Sequence, residues 1–471
     1  MDETKNLYGS RYLPVEAIHS FLDPFEEGRK IRTAGRLMAR RIMGKSTFGD
    51  LRDESGRIQI YGKKDDLGDG QYDFFSSLSL GDIIGIEGVL FLSKTGEKTV
   101  RIEKFQLLSR IVRTLPEKWH GLKDIETRYR HRYIDLAVNP EVRETFKKRS
   151  GIIHEVRNFL SRRGFMEVET PMMQPVPGGA RAKPFVTHHN ALHADLYLRV
   201  APELYLKRLL VGGFQKVYEL NRNFRNEGIS VKHNPEFTML ELYQAFADYT
   251  DMMLLTEELI SDLVHLSYGN AEIPYGDRSI SFKRPWKKIS FYEALSEKTG
   301  VNFRSTDIRG AARKLGMGQS MDLEKEEEVD ILNEIFGAYV EEELWNPTFV
   351  IDYPTAMTPL AKAKEEDPDL VYRFELFIGK MEIANAFSEL NDPHVQRQRL
   401  VSQKEQIGEH KIIDEDFLMA LEYGMPPAGG LGIGIDRLIM LLTNQHSIRE
   451  VILFPQLKPE KKESEGSDQE P

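Results

Sequence analysis

At 471 residues, with 40% hydrophobic and 29% charged residues, the chain has room for roughly two or three domains with buried cores, and the balance excludes a fibrous or wholly disordered protein. No run approaches the roughly 18 apolar residues of a membrane span, and the first residues lack the apolar core of a secretory signal, so a cytoplasmic protein with no membrane partner is expected. The absence of cysteine removes disulfides, zinc–thiolate sites and any cysteine nucleophile, while a formal net charge of -10 offers no general attraction to nucleic acid.

In chain order, residues 1–27 read as a polar N-terminal extension. Residues 28–113 alternate short apolar and polar runs punctuated by glycine (IRTAGRLMARRI, GRIQIYGKK, DIIGIEGVLFL), the pattern of a small antiparallel barrel. Its opening stretch, Gly28 to Lys45, holds seven basic residues and no acidic one, which fits a solvated basic face and an RNA footprint equally. Residues 114–140, dense in charge, read as a linker with some helix. From Glu141 the period changes. Val142, Phe146, Ile152 or Ile153, Val156, and Phe159 or Leu160 recur at three- and four-residue intervals, which predicts a helix stopped by Gly164. Strand-like runs follow (FMEVET, LYLRVAPELYLKRLL, KVYELNRNFR, PEFTMLELYQAF). They predict an antiparallel sheet with flanking helices in a second domain, 141–457, and an α+β protein as a whole. Residues from about 251 to 347 read as a helical insertion, and 458–471 as a disordered tail.

Four segments carry chemistry. In PEFTMLELYQAF the two-residue period of a strand puts Phe237, Met239, Glu241 and Tyr243 on one face, and Arg225 with Glu227 are expected to share a face of the strand before it. Around Gly178, Gly179 and Ala180, glycines let the backbone of a loop approach a small ligand. The neighbours His188 and His189 point to opposite faces of a strand, which favours a structural or RNA-contacting role over a metal. In FELFIGKMEIANAFSELND, Glu375 and Glu382 stand seven residues apart, and Asn385, Phe387 and Glu389 share a face. Carboxylates without basic partners in sequence are what Mg2+ recruits beside phosphates, although a solvated acidic strand fits the same pattern. Finally, GGLGIGIDRLIMLL alternates glycine with apolar residues and turns helical at Asp436, read as the N-cap. Its glycines flatten a strand face for a planar ligand, and Arg437 can stack on a base or meet phosphate.

Together these segments resemble the three signature motifs of class II aminoacyl-tRNA synthetases: the helix ending in GFMEVETP, then FRNE to HNPEF, then GLGIGIDRL. RYRHRYIDL, APELYLKRLLVGGF and NAFSELND resemble the lysine-specific subgroup of bacterial type, and the N-terminal region resembles that group's OB-fold anticodon-binding domain. The resemblance implies ATP, L-lysine and tRNA(Lys) as partners, Mg2+ as the cofactor, and a homodimer with Pro171 at its interface. It further implies that Arg225 holds the α-phosphate and the substrate carboxylate, and that Phe237 and Arg437 sandwich the adenine. Glu227 then accepts from the adenine amino group, with His233 and Asn234 also in the ATP site. Glu375 and Glu382 carry the metal; Gly179, Glu203 and Glu241 surround the α-amino group; Tyr243, Asn385, Phe387 and Glu389 shape the rest of the amino-acid pocket. Phe48, Gln59 and Arg40 fall at anticodon-contacting positions.

Charge supports lysine apart from the resemblance. A buried ammonium must be paired, and Glu203, Glu241 and Glu389 are expected to supply the partners, whereas aspartate needs a cation at the far end of its pocket. An aspartyl or asparaginyl enzyme, a non-catalytic RNA-binding relative, and a paralogue that lysylates a protein remain as alternatives, the last disfavoured by the anticodon-type domain.

Overall fold

A computed structural model describes residues 7–116, 122, 124–407 and 413–460, and the chain divides into two units, Met1–Ile125 and Glu126–Pro471. Of the expected tail, 461–471 lie outside the described residues.

In the first unit, α1 (Ile18–Leu22) precedes β1 (Lys30–Met43), β2 (Ser46–Arg52) and β3 (Arg57–Lys63); α2 (Lys64–Leu67), α3 (Asp69–Ser77), β4 (Ile83–Leu92) and β5 (Lys98–Ser109) follow. The strands close into a barrel in the order β1-β2-β3-β5-β4. Its closing seam departs from the antiparallel expectation: because β4 pairs with β1, its hairpin partner β5 returns beside β3 in the same direction. Alternate residues such as Leu51, Ile58 and Ile60 fill the interior. Ile18 and Phe21 of α1 enter that same core, so the segment read as an extension is partly barrel.

From the division at Ile125 onward come three helices, α4 (Ile125–Arg130), α5 (Arg132–Val138) and α6 (Pro140–Arg162). Proline suits the first turn of α6, where its missing N–H has no intrahelical partner to lose. Gly164, at φ 78°, ends the helix in the left-handed conformation that costs glycine least. Next come β6 (Met166–Glu167), β7 (Met173–Gln174), β8 (Val186–His189) and β9 (Ala194–Leu198), then α7 (Glu203–Val211), β10 (Lys216–Phe224), β11 (Glu236–Ala245) and α8 (Tyr249–Tyr268). The hairpin β12 (Glu272–Tyr275) and β13 (Arg278–Ser281) leads to β14 (Lys287–Ser290), α9 (Phe291–Thr299), α10 (Ile308–Lys314), α11 (Glu328–Tyr339) and β15 (Thr348–Ile351). The chain closes with β16 (Arg373–Ile378), β17 (Met381–Ser388), α12 (Pro393–Ile407), α13 (Glu415–Glu422), β18 (Ala428–Gly434), α14 (Ile435–Leu442) and α15 (Ile448–Val451).

Eight strands form one sheet, β14-β15-β16-β17-β18-β11-β10-β6, antiparallel in its centre and parallel at both edges. Helices α6, α8 and α14 bury apolar faces against it, with Val156, Leu259 and Leu438 in one continuous core. Helix α8 therefore belongs to the main core and β14 to the main sheet, so the stretch read as an insertion from about 251 narrows to α9–α11. Those helices pack around Phe291, Ile335 and Phe336 beside Phe377 of the sheet. A second correction concerns LYLRVAPELYLKRLL: its second half is helix α7, because Leu204, Leu206, Lys207 and Leu210 are buried at helical rather than alternating spacing.

The segment read as a linker is anchored by charge. Arg132 and Asp135, both fully buried, pair at 2.7 Å; Arg128 reaches the other oxygen of Asp135 at 3.0 Å, and Arg132 donates to the Arg449 carbonyl of α15 at 2.6 Å. Removing Asp135 would leave the fully buried Arg132 with Glu450, at 3.9 Å, as its remaining carboxylate partner among the described residues. Asp135→Ala is expected to cost about 3–5 kcal/mol of stability in chemical denaturation, and a loss below about 1 kcal/mol would contradict this account of the anchor.

Candidate active site

The centre of the sheet carries the site in two rows of directly paired residues. One row runs Glu375, Asn385, Gly432, Glu241 across β16, β17, β18 and β11; the other runs Arg373, Phe387, Gly430, Tyr243. Both rows place side chains at the outer strands and glycine on β18 between them. A Cβ at Gly430 would stand 1.9 Å from Glu389 Oε1 and 2.6 Å from the Tyr243 ring, so the absence of a side chain is what admits those two groups. Gly179, at φ 87°, closes over the same space, its Cβ position 3.1 Å from the Glu203 Cβ.

All the residues that the resemblance assigns to ATP, amino acid and metal line one cavity of about 650 Å3. One end is cationic and aromatic. The Arg225 guanidinium lies 5.0 Å from the centre of the Phe237 ring, and its Nε is buried without a hydrogen-bond partner among the described residues. Arg225 and Glu227 do not share a strand face as expected: β10 ends at Phe224, and both stand on the loop beyond, where Arg225 donates its N–H to the Pro235 carbonyl at 2.8 Å. Arg437 donates to the Glu382 carbonyl at 2.8 Å and meets His233 Nε2 at 3.0 Å. Burial, then the Arg437 charge, lower the His233 pKa, so the ring beside Arg437 is held neutral. The Asn234 amide is spent on backbone, donating to the Glu236 carbonyl at 2.6 Å and accepting from the Gln456 N–H at 3.2 Å. Asp436 is not the N-cap, a position held by Gly434. Its carboxylate accepts from the Thr238 N–H at 2.6 Å and from Arg149 of α6 at 2.7 Å, which fixes the helix start that carries Arg437.

The other end holds three buried carboxylates, Glu203, Glu241 and Glu389. Burial and then the neighbouring Glu203 charge push Glu241 up to about 8, against the pull of Arg225, and Tyr243 OH donates to it at 3.3 Å. A protein lysine already shares this space. Lys207, fully buried on α7, sits 2.7 Å from Glu203 Oε1 and 2.5 Å from Glu389 Oε2. Two of the three acids expected to pair the substrate ammonium thus already have a protein cation that the sequence reading did not include, although Glu203 and Lys207 stand at helical i, i+4 spacing once α7 is read as a helix. Glu389 Oε1 retains no partner among the described residues.

Glu375 and Glu382, on adjacent strands, offer two hard oxygen donors. Glu375 does have a basic partner, Arg373, two residues earlier on the same strand face, and Tyr353 OH donates to it at 2.7 Å. Burial, opposed by Arg373, pushes Glu375 up to about 6. Among the described residues no group of three or more His, Cys, Asp or Glu is arranged for a metal. Two carboxylates are the donor set suited to Mg2+ whose other ligands are phosphate and water.

On the barrel, Phe48 and Tyr61 face each other across β2 and β3 with ring centres 4.8 Å apart, and Gln59 on the same face donates to Glu97 at 2.6 Å. Arg40 departs from expectation. It pairs with Gly49 on the opposite face and caps the end of α3 through the Ser76 and Leu78 carbonyls, whereas Arg41, directly across from Phe48, was passed over in the sequence. His188 and His189 stand on an exposed hairpin, where His188 meets Asp195 at 2.8 Å. Pro171 is exposed beside Met172 and Met173.

Residues 124–458 match the family of class II tRNA synthetases (D, K and N), and residues 31–108 match the OB-fold nucleic acid binding domain. The chain is 56% identical to a lysine–tRNA ligase of Pelotomaculum thermopropionicum over 462 residues, 96% of this chain and 91% of that one. It is 54% identical to the lysine–tRNA ligase of Carboxydothermus hydrogenoformans, covering 96% and 94%, and 51% identical to that of Aquifex aeolicus, covering 93% and 74%. With a matched family domain over most of its length and relatives of this identity, the chain belongs to the class II tRNA synthetases of the D, K and N group.

Proposed function

We propose that this chain activates L-lysine with ATP to lysyl-adenylate and transfers the lysyl group to the 3′ end of tRNA(Lys). The observation that carries this reading is a single cavity with Arg225, Phe237 and Arg437 at one end and Glu203, Glu241 and Glu389 at the other. The first end suits adenine and phosphate, the second a diammonium amino acid. Lys207 does not turn the pocket toward aspartate, since both of its carboxylate partners already neutralise it.

In this reading Phe237 and Arg437 stack on the two faces of the adenine, Glu227 accepts from its amino group, and His233 and Asn234 complete the ATP site. Arg225 draws the α-phosphate and the lysine carboxylate together. A carboxylate oxygen attacks the α-phosphorus in line, the bond to the β,γ-phosphates breaks, and pyrophosphate leaves; a tRNA terminal hydroxyl then attacks the acyl carbon, the acyl–phosphate bond breaks, and AMP and the hydroxyl proton are released. Glu375 and Glu382 would hold Mg2+, which when bound supplies charge neutralisation at the departing pyrophosphate. Glu203, Glu241 and Gly179 receive the α-ammonium, and Tyr243, Asn385, Phe387 and the free Glu389 oxygen receive the side chain. On the barrel, Phe48 and Gln59 contact the anticodon, with stacking as the main contribution.

The chain is further read as a cytoplasmic homodimer that joins around Pro171, where Met166, Met172 and Met173 are 37–55% exposed. Among the described residues no helix is long and apolar enough to cross a membrane.

Pyrophosphate–ATP exchange measured with each amino acid separately is expected to depend on lysine, with ornithine disfavoured by about 1–3 kcal/mol for its missing methylene. Exchange driven by aspartate or asparagine, or by no amino acid, would overturn the assignment. Arg225→Ala is expected to lower lysine-dependent exchange by about 100-fold or more, and near-normal exchange in that variant would remove Arg225 from the reaction. Sedimentation is expected to give a dimer, against which a fully active monomer would tell.

A further inference from the structure

Lys207 has no place in the reaction just described, yet it is paired with two of the three acids at the amino-acid end of the cavity. It is fully buried, lies one helical turn beyond Glu203, bridges Glu203 and Glu389 at 2.7 and 2.5 Å, and stands 5.5 Å from the centre of the Phe387 ring. It does not itself line the cavity. Burial alone would strip its proton, but the two carboxylates raise its pKa above the ordinary lysine value, so the ammonium is retained.

The charges can be counted. With Glu241 ionised, as an arriving ammonium favours, Glu203, Glu241 and Glu389 bring three negative charges and Lys207 one positive, which leaves two negative charges at this end of the cavity. A free lysine brings two ammonium groups. We propose that Lys207 is a specificity-determining positioning residue: a resident counter-ion that reduces a triple-carboxylate pocket to the charge of a diammonium substrate and turns Glu389 so that its unpaired oxygen faces the incoming side chain. The orientation is visible in the atoms. Lys207 Nζ stands 2.5 Å from Oε2 of Glu389 as an ion pair; neither oxygen has a hydrogen-bond partner among the described residues, and Oε1, facing away from that ammonium, lies over the flat surface at Gly430. Without the bridge, two buried carboxylates must share a proton or separate, and either change closes the seat.

This inference rests on the lysine-activating reading above. The test is lysine-dependent pyrophosphate–ATP exchange with Lys207→Met, Glu203→Gln, and the two changes together. Lys207→Met is expected to raise the lysine KM by about tenfold or more while the ATP KM stays within about twofold, because the defect is confined to one end of the cavity. The combination provides a sign test. Glu203→Gln alone leaves one net negative charge facing a dication, and adding Lys207→Met restores two, so the double variant is expected to show a lysine KM about threefold or more below that of Glu203→Gln. If Lys207 serves only packing, the double variant is the worse of the two. A lysine KM in the double variant equal to or above that of Glu203→Gln overturns the proposal, as does an unchanged lysine KM in folded Lys207→Met. The sign test does not require Lys207→Met to fold alone. Absence of lysine-dependent exchange in the unaltered protein would instead overturn the substrate assignment, so the two failures are distinguishable.

Discussion

Three carboxylates buried within one small volume is the constraint around which the rest of this site is organised. Like charges withdrawn from water repel and are poorly solvated, so such a cluster persists only if cations or protons are supplied to it. The protein supplies one of each kind. Lys207 bridges Glu203 and Glu389, and Glu241, pushed up to about 8 by burial and by Glu203, is mostly protonated near neutral pH in the ligand-free state. What remains unmet, the Glu389 oxygen over Gly430 and the ionisation of Glu241, is a demand for further positive charge.

The fold meets the geometric side of that demand with an antiparallel sheet. Directly paired rows across β16, β17, β18 and β11 bring together residues far apart in sequence, and glycine on β18 removes the side chains that would fill the space between them. Helix α7 delivers Glu203 and Lys207 from one side. At the opposite end, Arg149 and Asp436 pin the start of α14, which aims Arg437 at the place where a nucleotide would lie. Arg225 pulls on Glu241 but does not overcome its burial, and no arginine pairs with Glu203 or Glu389 among the described residues, so the polarity of the cavity survives folding.

Much of this was legible in the chain. The strand period placed Phe237, Met239, Glu241 and Tyr243 correctly on one face because β11 is regular for ten residues, and the glycine alternation marked β18. What misled was local ambiguity. LYLRVAPELYLKRLL is apolar enough to pass for strand throughout, and reading it so hid the i, i+4 pair of Glu203 and Lys207. Arg225 lies one residue beyond the end of the strand that the alternation predicts for it, and Arg40, grouped with Phe48 and Gln59 at anticodon-contacting positions, pairs with Gly49, while Arg41 stands opposite Phe48. The parallel seam of the barrel was beyond periodicity altogether, since it follows from which strands pair and not from how any of them alternates.

If buried acids awaiting a cation are the core of the site, occupancy must move protons. Without ligand, Glu241 binds a proton below about pH 8; an arriving ammonium favours its ionised form and expels that proton. Calorimetric titration of the protein with lysine near pH 7, repeated in two buffers of different ionisation enthalpy, counts the protons exchanged. The account predicts net release of a substantial fraction of one proton per lysine bound. Binding with no exchange, or with proton uptake, would contradict it.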